Sequence, residues 1–380
     1  MRRNGPIRVA VVGAGVGGLA LAGALRRSGA QVVVLERASE FAPVGSGLSL
    51  CGNGFRALDA LSLGDRVRAV TADAPPPGTA GGRRPDGSWL IRFSSEATAR
   101  IRVVDRTELH TALLDGLADV EIRTGAQVVA ADDTGVTLAD DERVGNFDVV
   151  VGADGLRSRV RAGWPADPGV TYAGYGAWRG ITRRPIPLTA GGETFGSGKR
   201  FGIAPLRDGR VYWFAAISTD RDARPDHTVL REAFAGWHAP VGELIDATDA
   251  DAVSYLPIEY LAQPLPSYRQ GTRVLLGDAA HAMTPDLGQG ANQALEDAAV
   301  LEKLLRPAIV AHDRQRISPA LGEYDAIRRP RSQAVASQAR LVGRVGQAAG
   351  VRAALRDAAL RIAPDRVVSA RSVRIQDWHP

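Results

Sequence analysis

Cysteine is all but absent: the 380-residue chain has one, Cys51. That excludes a disulfide framework, a cysteine-based metal site and a Cys-X-X-Cys redox pair. Lysine is nearly as scarce. Only Lys199 and Lys303 occur, so arginine supplies almost all of the 47 basic residues. No apolar run approaches the ~18 residues that a membrane span needs, which excludes an integral membrane protein of helical type. The opening MRRNGPIRVAVVGAG is basic, but its apolar stretch is short and broken by glycine, with no cleavage-like site. No signal peptide is read there, and a cytoplasmic location is expected. A basic block is missing too. The net charge is +5, yet 42 acidic residues are interspersed with the arginines, so nucleic-acid binding is not expected. There is no internal repeat.

What remains is an ordinary soluble composition, 45% hydrophobic and 23% charged, with room for one large or two ordinary domains. The chain opens as strand (Ile7 to Val12), Gly-rich turn, helix (Val16 to Arg27) and strand (Gln31 to Leu35), a βαβ unit. Residues 71 to 87 are Pro/Gly-rich and predict a loop. A helix is predicted from Arg106 to Leu117. Short strands follow at Val120 to Ile122, Ala126 to Ala131, Gly135 to Leu138 and Phe147 to Val151. Between about 170 and 265 aromatics concentrate and short runs alternate with turns, which predicts a mainly antiparallel sheet with a helix near Val229 to Trp237. Arg273 to Leu276 reads as a buried strand. Gly290 to Leu305 and Ser318 to Gly346 read as helices, the second kinked near Pro330. The tail from 351 to 363 reads as a helix with arginines on one side; Arg340, Arg344, Arg352, Arg356 and Arg361 are expected to form a solvated helix face, with a membrane-surface or dimer role as the alternative. The expected architecture is therefore α/β: a discontinuous Rossmann-type domain (1–75, 98–168 and 270–345), an inserted sheet domain (76–97 and 169–269) and a helical tail (346–380).

Gly13-Ala14-Gly15-Val16-Gly17-Gly18 satisfies G-x-G-x-x-G in the required setting, after a strand and before a helix. Such glycines allow a tight turn, close approach of a pyrophosphate and close helix packing. The helix N-terminus offers free N–H groups to phosphate. Glu36 ends the second strand about 20 residues on, where an acid accepts from ribose hydroxyls. The motif alone does not separate FAD from NAD. Two later segments bear on that: a buried strand ending in Gly152-Ala153-Asp154-Gly155, and another ending in Gly277-Asp278-Ala279-Ala280-His281. The latter runs on through Pro285 to Gly288-Gln289-Gly290-Ala291-Asn292. It sets a carboxylate beside a helix N-terminus that favours negative charge.

These three segments together resemble the class A FAD-dependent monooxygenases of the para-hydroxybenzoate hydroxylase fold. Tyr324, Arg328, Arg329, Pro330 and Arg331 match a later signature of that family, and the resemblance runs from about 7 to 335. It implies a GR2-like FAD domain, non-covalent FAD, and NADH or NADPH bound transiently as co-substrate. The implied reaction is hydroxylation or epoxidation of an aromatic or heteroaromatic molecule by O2 through a flavin C4a-hydroperoxide. A flavin dehydrogenase, reductase or oxidase on the same fold is the alternative. A halogenase is not, since no Trp-x-Trp-x-Ile-Pro element is present. Position by position, the resemblance implies that Gly13, Gly15 and Gly17 line the pyrophosphate. It puts Glu36 and Arg37 at the adenosine ribose, Val128 at adenine and Ser49 near the flavin. Arg106 falls on the phosphates or ribitol, and Asp154 supports FAD and the nicotinamide donor. Asp278 falls on the ribitol, with Pro285, Gly288, Gln289, Gly290, Ala291 and Asn292 around the isoalloxazine.

For the substrate, the pattern is most similar to bacterial FAD-dependent urate hydroxylases and salicylate-hydroxylase-like enzymes. It departs from the former at Ala177, where they carry Asn. Arg200 and Tyr212, on the two arms of a predicted hairpin, are the expected catalytic pair: a cation for an anionic ring, and a hydroxyl that binds it and helps remove its proton. Arg179 is expected at the surface, Trp178 in the core, His281 in a structural turn and Cys51 as a small buried hydrophobe. The assembly is expected to be a monomer or homodimer.

Overall fold

The structure is a computed structural model that describes residues 5–41, 45–117, 119–223 and 226–380. Strand β1 (Arg8–Val12), helix α1 (Val16–Arg27) and β2 (Gln31–Leu35) form the opening βαβ unit. There follow β3 (Gly47–Leu50), α2 (Gly52–Ala60), β4 (Ala80–Arg83), β5 (Trp89–Arg92), β6 (Arg102–Asp105) and α3 (Arg106–Leu114). Next come β7 (Glu121–Arg123), β8 (Val128–Ala131), β9 (Gly135–Leu138), β10 (Arg143–Gly145) and β11 (Val149–Gly152). The long strand β12 (Val170–Ile181) leads to β13 (Gly191–Phe195), β14 (Lys199–Pro205), β15 (Val211–Ser218) and β16 (Ser254–Leu261). The chain closes with β17 (Arg269–Gln270), β18 (Arg273–Leu275), α4 (Gly290–Val310), α5 (Ile317–Gly346), α6 (Val351–Ile362) and α7 (Asp365–Gln376).

Two sheets carry the architecture. One has the order β17-β18-β11-β1-β2-β7, parallel except at the β17 edge. Its inner strands are almost pure valine and leucine and almost fully buried, as expected where helices cover both faces. The other has the order β16-β12-β15-β14-β13-β4-β5. One face of it packs Trp178, Phe201, Trp213, Phe234 and Leu244 into a separate core.

Strand period decides what the opposite face presents. Arg200 pairs with Ala216, Phe214 with Arg179, and Tyr212 with both Ala204 and Ile181. Because side chains alternate, Tyr175, Ala177, Arg179, Arg200 and Tyr212 all lie on one face, turned away from the tryptophans.

Several expectations are corrected. The predicted loop at 71–87 holds β4, which pairs with β5 and β13. Its Gly81 and Gly82 carry no side chains to show a period. A Cβ on Gly81 would lie 2.2 Å from the Ile91 carbonyl oxygen, so close strand approach requires glycine there. Strands β3 and β6 pair with each other and were not foreseen. Helix α5 spans Pro330 as the single helical stretch expected there. The expected tail helix is present as α6, and the helix α7 that follows it was not foreseen. Arg356 is buried, not solvated.

Candidate active site

The Gly-rich turn is built by close approach. Gly13 has φ +104, and a Cβ on it would sit 2.4 Å from the Ala153 carbonyl oxygen. Gly18 abuts the Gly13 carbonyl in the same way. Gly17 is a correction: the space beside it is filled by Leu276 and Ala294, so it lets α1 pack on α4 rather than face a ligand. Gly15 alone of the expected three opens onto free space, with nothing within 4 Å of a Cβ built there. Glu36 closes the turn, accepting from Ala14 N at 2.8 Å and from Ala38 N at 2.9 Å. Arg37 beside it is exposed. Val128 is the buried first residue of β8. The segment before it is tied to the end of β2, with Ala126 N donating to Glu36 O at 2.8 Å. His110 is one turn along α3 from Arg106, and its Nε2 lies 2.9 Å from Ala14 O. The sequence reading missed His110.

Asp154 stabilises its own turn: Oδ2 accepts from Arg159 N at 2.6 Å and Val160 N at 3.2 Å. Among the described residues its Oδ1 is buried without a hydrogen-bond partner, and burial pushes the carboxyl above its ordinary range. Asp278 and Arg106 are both exposed and lie within reach of each other's charge. Desolvation raises Asp278, with the charges of His281 and Arg106 opposing. Desolvation lowers Arg106, as does the charge of Arg179.

Across from Asp278 lies the start of α4. A Cβ on Gly290 would be 4.0 Å from Asp278 Oδ1. Pro285 begins the turn, Gly288 takes the left-handed conformation at φ +60, and Gln289 caps the helix without a side-chain bond to its backbone. Of the expected flavin residues, Gln289 and Asn292 point their side chains inward. Asn292 accepts from Cys51 N at 2.8 Å and donates to Ser49 O and Gly288 O. Gln289 accepts from Asn53 Nδ2 at 2.9 Å. What they leave to a ligand is the backbone: the first N–H groups of α4, which no helix satisfies internally. Ser49 faces this turn, 3.6 Å from a Cβ on Gly288.

The Arg328 motif holds α4 in place. Arg328 is fully buried and bonds Glu296, Asp297 and Gln293, while Tyr324 donates to Leu275 O at 2.9 Å. His281 Nε2 is 2.6 Å from Asp297 Oδ2. Burial alone would raise Asp297, but His281 and Arg328 hold it down to about 2. His281 thus belongs to the framework. Cys51 is buried in the same region, which pushes its thiol up to about 12.

The expected free cation at Arg200 is corrected. It is 3% exposed, and every side of its guanidinium is engaged. Nη1 donates to Glu193 at 2.9 Å, Nη2 to Asp286 at 2.6 Å and Nε to Gln347 at 3.1 Å. Tyr175 donates to the other oxygen of Asp286 at 2.8 Å. Two carboxylates offset its one charge, so this point does not attract an anion. Instead it ties β14 to the turn before α4 and to the end of α5, where Gly343 and Gly346 leave room for the ion cluster.

Tyr212 lies four residues along the ladder from the Arg200 pair, about 13 Å at strand rise, with its ring against Gly47 of β3. Among the described residues its hydroxyl has no partner. Burial raises its pKa, and Arg179 works the other way. It is therefore a protonated donor at neutral pH and not a base. Arg179 is the further correction. It is half-buried rather than at the surface, near both Tyr212 and Arg106, with no ion pair among the described residues. Its parity on β12, opposite to Trp178, was the available signal.

The residues present fit FAD. They offer an open glycine at a helix N-terminus for the pyrophosphate, and carboxylates at Glu36 and Asp278 for hydroxyls. The unpaired first turn of α4 is left for an electron-rich ring edge. Comparison with known proteins agrees. The family described as FAD binding domain matches residues 6–339. The chain is 34% identical to aurachin C monooxygenase/isomerase of Stigmatella aurantiaca, over 98% of this chain and 99% of that protein. It is 36% identical to 2-heptyl-3-hydroxy-4(1H)-quinolone synthase of Pseudomonas aeruginosa, over 89% of each. Among solved structures, that of Klebsiella pneumoniae HpxO complexed with FAD and uric acid superposes with a TM-score of 0.84 at 27% identity. It covers 99% of this chain and 97% of that one.

Proposed function

Since the chain belongs to the FAD-binding domain family, we propose that it is an FAD- and NAD(P)H-dependent monooxygenase that hydroxylates or epoxidises an ionisable heteroaromatic ring. Bound FAD, once reduced by the nicotinamide, supplies the O2 chemistry. In this reading residues 1–75, 98–168 and 270–345 hold FAD, and the seven-stranded sheet, with 76–97 and 169–269, holds the substrate. Gly13, Gly15, Glu36, Arg37, Val128 and Arg106 serve the nucleotide half of FAD. Asp278, Ser49 and the backbone of Pro285 to Asn292 serve the flavin half, and Asp154 stiffens the turn between them.

The observation that carries the substrate class is the pairing of Tyr212 with Arg179. Among the described residues one is a donor without a partner and the other a guanidinium without an ion pair, and Arg179 lies within charge reach of both Tyr212 and Arg106, as Arg106 does of Asp278. Donation from Tyr212 and the charge of Arg179 stabilise a ring oxyanion, and a charge-assisted bond is roughly twice as strong as a neutral one. Arg200 is a positioning residue that holds the flavin-side turn against the sheet. Names of relatives, among them a quinolone synthase and a urate hydroxylase, support a nitrogen heterocycle. Ala177 offers no hydrogen bond where a purine-dione needs one, which favours a quinolone-like ring over urate. The work of such an enzyme fits the cytoplasm, where NAD(P)H is supplied.

The test is substrate-stimulated NAD(P)H oxidation with a panel of hydroxyquinolones, hydroxybenzoates and urate under isotopically labelled O2. One labelled oxygen in the product is expected. Label found only in water or peroxide identifies an oxidase or dehydrogenase instead. Arg179→Gln and Tyr212→Phe are expected to raise KM for the ionised substrate about tenfold each with FAD content unchanged. An unchanged KM in both variants removes the assigned pocket.

A further inference from the structure

Helix α6 is turned inside out. Toward the protein it buries Arg356 and Asp357 together with Ala353. Toward solvent it presents Val351, Leu355 and Ile362, exposed by 78%, 65% and 84%. At 100° per residue these three fall within one narrow stripe, joined by the exposed Ala354, Ala358 and Ala359. Arg352 and Arg361 bound the stripe on its two sides, and both are exposed.

The orientation is enforced. Arg356 donates to Asp357 Oδ1 from Nε at 2.9 Å, to Gly346 O at 2.9 Å and to Gly196 O at 3.0 Å. Arg84 Nε adds a bond to Asp357 at 3.3 Å, and the Phe195 ring lies 5.3 Å from the Arg356 guanidinium. Just before the helix, Gly350 N donates to Ser197 Oγ at 2.9 Å and Ala348 O accepts from Gly198 N at 2.9 Å. Rolling the helix to hide its apolar side would carry Arg356 and Asp357 out together, breaking their bonds to Gly346 O, Gly196 O and Arg84 and leaving two carbonyls without those donors. The last turns of α5 also expose Leu341 and Val345, with the exposed Arg344 between them.

We propose that α6 docks the enzyme on an anionic lipid surface, with Val351, Leu355 and Ile362 among the acyl chains and Arg352 and Arg361 at the headgroups. An apolar stripe edged by arginines is the pattern of a helix lying in a membrane interface, and anionic headgroups supply the charge that the arginines lack. A second copy of the chain fits less well. A two-fold contact on this stripe would gather four flanking arginines into one interface, with no exposed acidic residue on α6 to offset them. No helix among the described residues is long and apolar enough to cross a membrane, so the contact is peripheral.

The test is co-sedimentation of the full-length holoenzyme with vesicles of mixed phosphatidylglycerol and phosphatidylcholine, and with phosphatidylcholine alone. At low salt the mixed vesicles are expected to bind at least about tenfold more protein, and salt is expected to release it. Leu355→Glu combined with Ile362→Glu, at positions outside the catalytic machinery, is expected to abolish binding with FAD content unchanged. Arg352→Gln combined with Arg361→Gln is expected to remove only the preference for phosphatidylglycerol. Failure of the wild type to bind the mixed vesicles overturns the proposal, as does full binding by the Glu variant. So does a wild-type dimer in sedimentation velocity that the Glu variant converts to monomer, which would assign the stripe to self-association.

Discussion

Replacing Arg200 with Gln keeps the side-chain length and removes the charge from a cluster that also holds Glu193, Asp286 and Tyr175. The wild-type guanidinium donates to both carboxylates, and the Asp286 side chain is completely buried. Removing one member of a buried pair costs about 3–5 kcal/mol, because the remaining charge has no counterion. At ~2.1 cal/mol/K per residue, 380 residues unfold with an entropy of ~0.8 kcal/mol/K. The expected fall in Tm is therefore about 4–6 °C for cooperative unfolding. The loss depends on pH. Glu193 is already above the ordinary carboxylate range, mainly through burial, and Arg200 opposes that shift. Without Arg200 the folded variant binds this proton more tightly still than the unfolded chain does. Stability linked in that way is present at low pH and is lost as pH rises through the folded-state value. Differential scanning fluorimetry at about pH 5 and about pH 8 is thus expected to show a small deficit at the acid end and the full one at the basic end. The same drop at both values, or less than about 1 °C at pH 8, would refute the buried ion cluster.

Asp278→Ala is expected to lose much of the bound flavin, read as flavin absorbance per polypeptide. Full occupancy would show that Asp278 does not meet the ribitol. Gly13→Ala and Gly15→Ala separate framework from binding. The first drives a methyl to 2.4 Å from the Ala153 oxygen at φ +104, whereas the second meets no protein atom. Gly13→Ala is expected to impair folding itself. Gly15→Ala is expected to fold with unchanged circular dichroism but bind FAD at least about tenfold more weakly, about 1.4 kcal/mol. Equal effects of the two in both assays would contradict that division.

Features with a local cause were legible in the sequence. The tight turn needs glycine at 13, the strand ends carry Glu36 and Asp278, and a glycine-rich helix start is visible at Gly288 to Gly290, because each depends on residues a few positions apart. The valine runs announced a sheet covered on both faces for the same reason. What the tertiary structure decided lies at long range. Whether Arg200 is a free cation depends on Asp286, 86 residues away. Gly17 reads as a phosphate-lining glycine until Leu276 and Ala294 are seen to fill the space beside it. Arg179 and Tyr212 have the same residue chemistry as many solvated or core positions, and only the register of β12 with β15 puts them on one face. The periodicity of α6 predicted a helix correctly, but not which side faces the protein. Arg356 and Asp357 fix that side by their bonds to Gly346 O, Gly196 O and Arg84, groups outside the helix that turning it over would leave behind.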